Sequence, residues 1–266
     1  MTRTLLFLTG TRADFGKLEP LAAAARDAGH RVAFFVTGMH MMEAYGLTKV
    51  EVSRMPGVRV HEFMNQRPGD PQDVILAKTI LGFSDYVTEH RPDLIVVHGD
   101  RIEALAGALV GATNYILTAH VEGGEVSGTI DEVIRHCNTK LAHVHFVSSD
   151  TAARRVMALG EPGGTVHAVG SPELDFHSSS SGVTLDEVRA RYGIPPNNEP
   201  GSEAIFRVIE GLPKDRFRLI PSMRFAHFSE LMKNAACMVG NSSAGVREAP
   251  FLGVPSLDIG SRQTNR

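Results

Sequence analysis

The chain has 266 residues, 42% apolar and 21% charged, and its 27 basic and 30 acidic side chains leave a net charge of −3. That is enough chain to bury a sizeable core in one large or two small domains, and too apolar and too weakly charged for disorder. A net charge this small also argues against a nucleic-acid or anionic-membrane partner, which would need a basic surface.

Cys137 and Cys237 alone make neither a disulfide framework nor a four-ligand zinc site. No metal is expected, and a reducing, cytoplasmic setting is. The N-terminus carries only a short apolar run before Thr9, without a signal-peptide cleavage site. No stretch reaches the ~20 apolar residues of a membrane span.

Short apolar runs alternate with helix-period segments. A strand over Thr4–Leu8 ends in Thr9-Gly10-Thr11-Arg12, and a helix is expected over Gly16–Ala28. Strand Val32–Val36 follows, then a helix over Asp73–Glu89 and strand Leu94–Val97, which ends in His98-Gly99-Asp100-Arg101. Helix Ile102–Val110 leads to strand Tyr115–Ala119 and the turn His120-Val121-Glu122-Gly123-Gly124. Helix Thr129–Ala142 and strands Val144–Val147 and Val166–Val169 complete a first unit, residues 1–172. This alternation predicts an α/β fold built on parallel sheet, with ligands at the rim beyond the strand ends.

The serine-rich stretch after Pro172 reads as a connection to a second unit, residues 173–266. Helices over 184–192 and 202–211, strand Phe217–Ile220, helix Phe225–Asn234, strand Cys237–Val239, helix Ala244–Phe251 and strand Pro255–Ile259 are expected there. This unit reads as incomplete. Ile194-Pro195 runs straight into Pro196-Asn197-Asn198, where a second α/β unit should open with a strand and helix. A segment near 195–196 and a C-terminal part are expected to be missing, because a sheet without its first βα unit exposes an apolar face.

Four motifs carry candidate chemistry. In the first, Gly10 permits a tight turn, the helix start offers N–H groups to an anion, and Arg12 and Lys17 add positive charge. The alternative is that Arg12 is a surface charge. In the second, Asp100 stands at the carboxyl end of a buried strand, or else simply caps helix 102–110. In the third, Glu122 is flanked by glycines that admit a ligand. Asp131 and Arg135 follow on one helix face, where an i, i+4 ion pair is the plain alternative. Three carboxylates on one rim suit acid–base chemistry. His136, His143 and His145 lack metal-ligand spacing and read as core or helix-end residues. In the fourth, Asn241, Ser242, Ser243 and Arg247 open a helix and form a phosphate cradle, with Met223-Arg224 beyond a neighbouring strand.

The segments TGTRADFGKL, HGDR, HVEGGEVSGTIDEVIRH, GSPELD, PNNEPGSEAI, PSMRF, GNSSAGVREAP and IGSRQTNR resemble the UDP-N-acetylglucosamine 2-epimerase family. The resemblance is strongest to its hydrolysing branch, which feeds sialic-acid-type sugar synthesis. It implies two Rossmann-like domains facing across a cleft in the GT-B arrangement, a homodimer, and a missing segment that carries a histidine-containing substrate loop. It implies loss of UDP from C1 and of a proton from C2, then addition of water to the glycal to release N-acetylmannosamine. Asp100, Glu122 and Asp131 would be the catalytic carboxylates. Arg12, Lys17, Arg101, Asn197, Met223, Ser242, Ser243 and Arg247 would hold UDP or the sugar. No cofactor is implied, and no nicotinamide-binding fingerprint is present.

The glycine-rich HVEGGEVSGTIDE favours the hydrolysing branch; the resemblance implies that the non-hydrolysing branch usually carries HxEAGLR and a longer insert there. A GT-B glycosyltransferase and a catalytically silent nucleotide-sugar sensor remain as other classes. Three carboxylates in the first unit count against both.

Overall fold

A computed structural model describes residues 1–172, 174, 184, 187, 211–213, 217, 220, 223–261 and 263. Asn197, the junction at 195–196, and most of the elements expected over 184–192, 202–211 and 217–220 lie outside these residues.

Seven parallel strands form the main sheet: β1 (Thr4–Thr9), β2 (Arg31–Val36), β3 (Arg59–Glu62), β4 (Leu94–His98), β5 (Leu117–Val121), β6 (Val144–Val147) and β7 (Val166–Ala168). Their order is β3-β2-β1-β4-β5-β6-β7. The chain winds outward from β1, then returns to wind the other way from β4. The reversal leaves a crevice between the carboxyl ends of β1 and β4, where open α/β sheets bind ligands.

Period-two alternation splits the core between the two faces of this sheet. Phe7, Phe34, Val36, Val96 and Val121 pack with Phe15, Leu18 and Ala22 of α1 (Arg12–Asp27). Leu6, Leu8, Ala33, Phe35, Ile95 and Val97 point the other way. They meet Phe83, Tyr86 and Val87 of α3 (Gln72–His90) and Ala104, Ala108 and Val110 of α4 (Ile102–Thr113). The Phe35 and Phe83 rings sit edge-on, 4.9 Å apart. Each such side chain contributes roughly 1.5–3 kcal/mol by leaving water.

Several expectations shift. Helix α1 starts at Arg12 rather than Gly16, because Thr11 and Asp14 form a capping box. Strand β5 starts at Leu117 rather than Tyr115. Tyr115 adopts a left-handed φ of 58°, and the Ile116 N–H returns to the Gly111 carbonyl at 3.0 Å, closing α4. The sequence reading missed α2 (Lys49–Ser53), the polar edge strand β3, and α6 (Asp150–Ala158). The last is capped by Ser149, whose side chain accepts from Ala152 N–H. Between β5 and β6 lies α5 (Ile130–Leu141), close to its expected span.

Farther on, helix Phe225–Lys233 and strands Met238–Gly240 and Ser256–Asp258 appear, the strands paired in parallel. The expected helix Ala244–Phe251 is broken into a 3₁₀ turn, Ser243–Gly245, and a short helix, Glu248–Phe251. This second unit touches the first at separate places. A side chain at Gly16 would stand 3.1 Å from the Phe225 ring, and one at Gly128 would stand 3.0 Å from the Ser261 carbonyl oxygen.

Candidate active site at the sheet crevice

Glu122 is the hub of the crevice. It follows β5 directly, with a left-handed backbone (φ 62°) and a side chain only 5% exposed. Its Oε2 accepts from Lys17 Nζ and interacts with His98 Nε2, each at 3.1 Å. Arg247 arrives from the second unit and grips both oxygens, Nη1 to Oε2 at 2.9 Å and Nη2 to Oε1 at 2.6 Å. Ser171 Oγ donates to Oε1 at 2.7 Å and accepts from Arg247 Nη2 at 2.7 Å. Burial opposes ionisation of this carboxyl, but Lys17, Arg247 and His98 outweigh it and hold the group well below the usual range.

Asp100 does not cap α4. Arg101 occupies the cap position, with no side-chain capping bond. Asp100 instead pairs with Arg135, whose Nη1 also donates to the Glu125 carbonyl at 3.1 Å. The i, i+4 partnership of Asp131 with Arg135 is therefore not the one the buried arginine makes. Asp131 lies half-buried in the first turn of α5 and, with Glu103 and Asp14, favours the charged form of Arg101 against the cost of burial.

Backbone turns are held by polar side chains. The Gly99 carbonyl accepts from His120 Nε2 at 2.8 Å and from Asn138 Nδ2 at 3.0 Å. The carbonyl fixes the tautomer, so His120 Nε2 carries the proton and Nδ1 faces the Thr139 hydroxyl at 3.1 Å. Burial drives the His120 pKa down to about 3, against the Gly99 hydrogen bond, so the ring is neutral.

In the turn after β1, three of the backbone N–H groups are taken by a side chain of α1. Asp14 takes those of Gly10, Thr11 and Phe15 at 2.9, 2.7 and 3.1 Å. Burial works against the charge on Asp14. The surrounding His40, Thr11, Gly10 and Arg101 still hold its pKa below the ordinary value.

The paired glycines after Glu122 lie close against the protein's own chain. A side chain at Gly124 would stand 2.3 Å from the Ala152 carbonyl oxygen, and one at Gly123 would stand 3.0 Å from His120 and Thr139. The two glycines leave room for the protein's own α6 and for His120 and Thr139.

The remaining expected residues are dispersed. Arg12 is half-buried beside Glu51. Met223 is buried, at 5% exposure, ahead of helix Phe225–Lys233. Ser242 is exposed and accepts from Ala244 N–H at 3.3 Å, and Ser243 opens the 3₁₀ turn. The helix N-terminus expected to cradle phosphate is thus replaced by a turn that Ser242 itself caps. Sequence reasoning named His98 and Arg135 without giving them roles at the site, and included Ser171 only within the segment GSPELD. Their adjacency to strand ends was the available signal. A cavity of about 240 Å³ adjoins the hub, lined by Glu125, Ser148, Ser149, Ser171, Leu174, Val246 and Arg247.

Comparison with known proteins gives the family and the fold. The family described as UDP-N-acetylglucosamine 2-epimerase matches residues 22–194 and 183–266. A Neisseria meningitidis UDP-N-acetylglucosamine 2-epimerase is 41% identical over 306 residues, covering 99% of this chain and 81% of the relative. A Legionella pneumophila UDP-N,N'-diacetylbacillosamine 2-epimerase (hydrolyzing) is 29% identical, covering 100% of this chain and 83% of that one. Among solved structures, a Neisseria meningitidis UDP-GlcNAc 2-epimerase bound to UDP-GlcNAc superposes with a TM-score of 0.78 at 18% identity, covering 98% of this chain and 84% of that one. The fold is the α/β, GT-B type with Rossmann-like units, and the chain belongs to the UDP-N-acetylglucosamine 2-epimerase family.

Proposed function

We propose that the chain is a hydrolysing UDP-N-acetylglucosamine 2-epimerase, converting UDP-GlcNAc and water to N-acetylmannosamine and UDP. The observation that carries this reading is the buried Glu122 carboxylate at the crevice, ringed by Lys17, His98 and Arg247, with Asp100 on the adjacent strand end.

In the reaction, the C1–O bond to UDP breaks and a proton leaves C2, giving the glycal. Water then adds, its oxygen to C1 and a proton to the opposite face of C2. Asp100, Glu122 and Asp131 are the groups proposed to take and return protons. Cations of the rim, Lys17 and Arg101 among them, stabilise the departing diphosphate. Arg12, Asn197, Met223, Ser242 and Ser243 complete the proposed substrate set. The division into units after Pro172, a homodimeric assembly and a cytoplasmic location belong to the same reading.

The alignment with the Neisseria relative runs over 306 positions, more than the 266 residues here, so that relative carries residues between matched stretches that this chain lacks. The non-hydrolysing alternative draws support from that relative, whose name carries no mention of hydrolysis. The hydrolysing reading draws support from the Legionella relative and from the HVEGGEVSGTIDE segment.

Proton NMR of the purified protein with UDP-GlcNAc in D₂O separates the two. Free 2-deuterated N-acetylmannosamine plus UDP is the expected product. A nucleotide-linked 2-epimer instead overturns hydrolysis, and no turnover of UDP-GlcNAc overturns the substrate.

A further inference from the structure

We propose that Arg247 is a positioning residue for Glu122, setting the carboxylate from the far wall of the crevice rather than gripping the diphosphate. The inference rests on the 2-epimerase reading above and concerns what one of its cations is for.

The two oxygens of Glu122 are held differently. Oε2 meets Lys17 of α1 and His98 of β4, both from the first unit, as well as Arg247 Nη1. The described hydrogen bonds to Oε1 come from Arg247 Nη2 and Ser171 Oγ alone. Lys17 and His98 of the first unit therefore hold one oxygen as a pivot, and the other is set by Arg247 and Ser171. Arg247 and Ser171 also bond to each other, so the three side chains close a triangle. A planar guanidinium meeting a carboxylate through two parallel bonds fixes rotation as well as distance, which a single-point cation does not. The pair is largely shielded, with side-chain exposures of 17% for Arg247 and 5% for Glu122.

A guanidinium committed through both Nη groups to Glu122 and Ser171 is poorly placed to be a primary phosphate ligand. Its effect falls on the orientation of Glu122, and it is made only when the second unit lies against the first. The charged and titratable groups facing Glu122 are Lys17, His98 and Arg247, with His120 on its own strand.

The test compares wild-type protein with Arg247→Ala and Arg247→Lys. Calorimetry with UDP is expected to give dissociation constants within about twofold of wild type. In Arg247→Ala, kcat is expected to fall on the order of 10²-fold, the usual cost of a misplaced reacting group. The acidic limb of its kcat–pH profile should move to higher pH, because the carboxylate has lost one of its cations. Arg247→Lys should recover part of kcat. A tenfold or greater loss of UDP affinity, or an unmoved pH profile, overturns the proposal.

A readout without turnover stands beside these. In urea denaturation, Glu122→Gln should cost less stability in the Arg247→Ala background than in wild type, and equal costs overturn the pairing. If wild-type protein turns over no nucleotide sugar, the functional reading fails, and calorimetry and denaturation still decide the partner of Arg247.

Discussion

His120 donates from Nε2 to the carbonyl oxygen of Gly99 at 2.8 Å, tying the end of β5 to the turn that carries Asp100. The ring is fully buried, and its neutral form is the one that fits. Unfolding exposes it and restores a pKa near 6.5. The unfolded chain therefore binds the extra proton below that pH, and stability falls as pH drops from about 6.5 toward 3. The slope from this residue approaches ~1.4 kcal/mol per pH unit within that window. Replacing His120 with Gln should flatten the loss between pH 6.5 and 5 relative to wild type. Urea denaturation at pH 7 and pH 5 measures the difference. Identical pH dependence in the two proteins would show that the ring is not held neutral.

The three carboxylates should fail in chemistry before they fail in binding. Asp100→Asn, Glu122→Gln and Asp131→Asn preserve shape and remove the base, so each should lose roughly 10²–10⁴ in kcat. UDP binding by calorimetry should change little. A variant blocked only in the second step should release glycal alongside UDP, visible by NMR. Near-wild-type turnover in all three would sink the assignment.

Gly124→Ala should be costly for a reason unrelated to any ligand. Its Cβ would lie 2.3 Å from a backbone carbonyl oxygen of α6, and its φ of 78° is already one that side chains avoid. Backbone has nowhere cheap to go, so a loss of about 1–3 kcal/mol is expected. Gly240→Ala, with nothing within 4 Å, is the control and should lose little. Thermal melts of the two variants decide it, and equal melting temperatures would contradict the packing argument.

Tyr115 gives the opposite sign. It is 95% exposed and holds φ at 58°, a strained backbone that its side chain does little to offset. Tyr115→Gly should stabilise the protein by roughly 0.5–1 kcal/mol, since left-handed backbone costs an ordinary residue about 1–2 kcal/mol and glycine's added chain entropy takes back part of that. A lowered melting temperature would show that the ring contributes more than its exposure suggests.

Much of the first unit was legible because its strands are short, apolar and alternate in facing. The strand ends then placed Asp100 and Glu122 on one rim. The segment from Lys49 to Glu62 was illegible for the converse reason: β3 is polar and mostly exposed, and α2 spans only five residues, so neither presents an apolar run. Partnerships were harder to read than positions. The i, i+4 spacing shows that Arg135 can meet Asp131, and it is silent about Asp100 waiting at the end of β4. Likewise, the composition of the Asn241–Arg247 stretch suggests anion binding, and only the folded chain reveals a carboxylate in front of Arg247. Glycines mislead in the same way, because a sequence shows where a side chain is missing and not what fills the space.

The contacts at Gly16, Glu122 and Gly128 come from three different stretches of the first unit, and the second unit supplies Phe225, Arg247 and Ser261 to meet them. A single such contact would act as a ball joint. Three from separate elements act as a seat, so rocking the second unit breaks at least one of them. The contact that breaks most readily need not be the polar one, since Phe225 rests on bare backbone where α1 has no side chain to interlock. A larger residue at position 16 would work as a shim, lifting that side of the seat and carrying Arg247 away from its carboxylate without touching either residue.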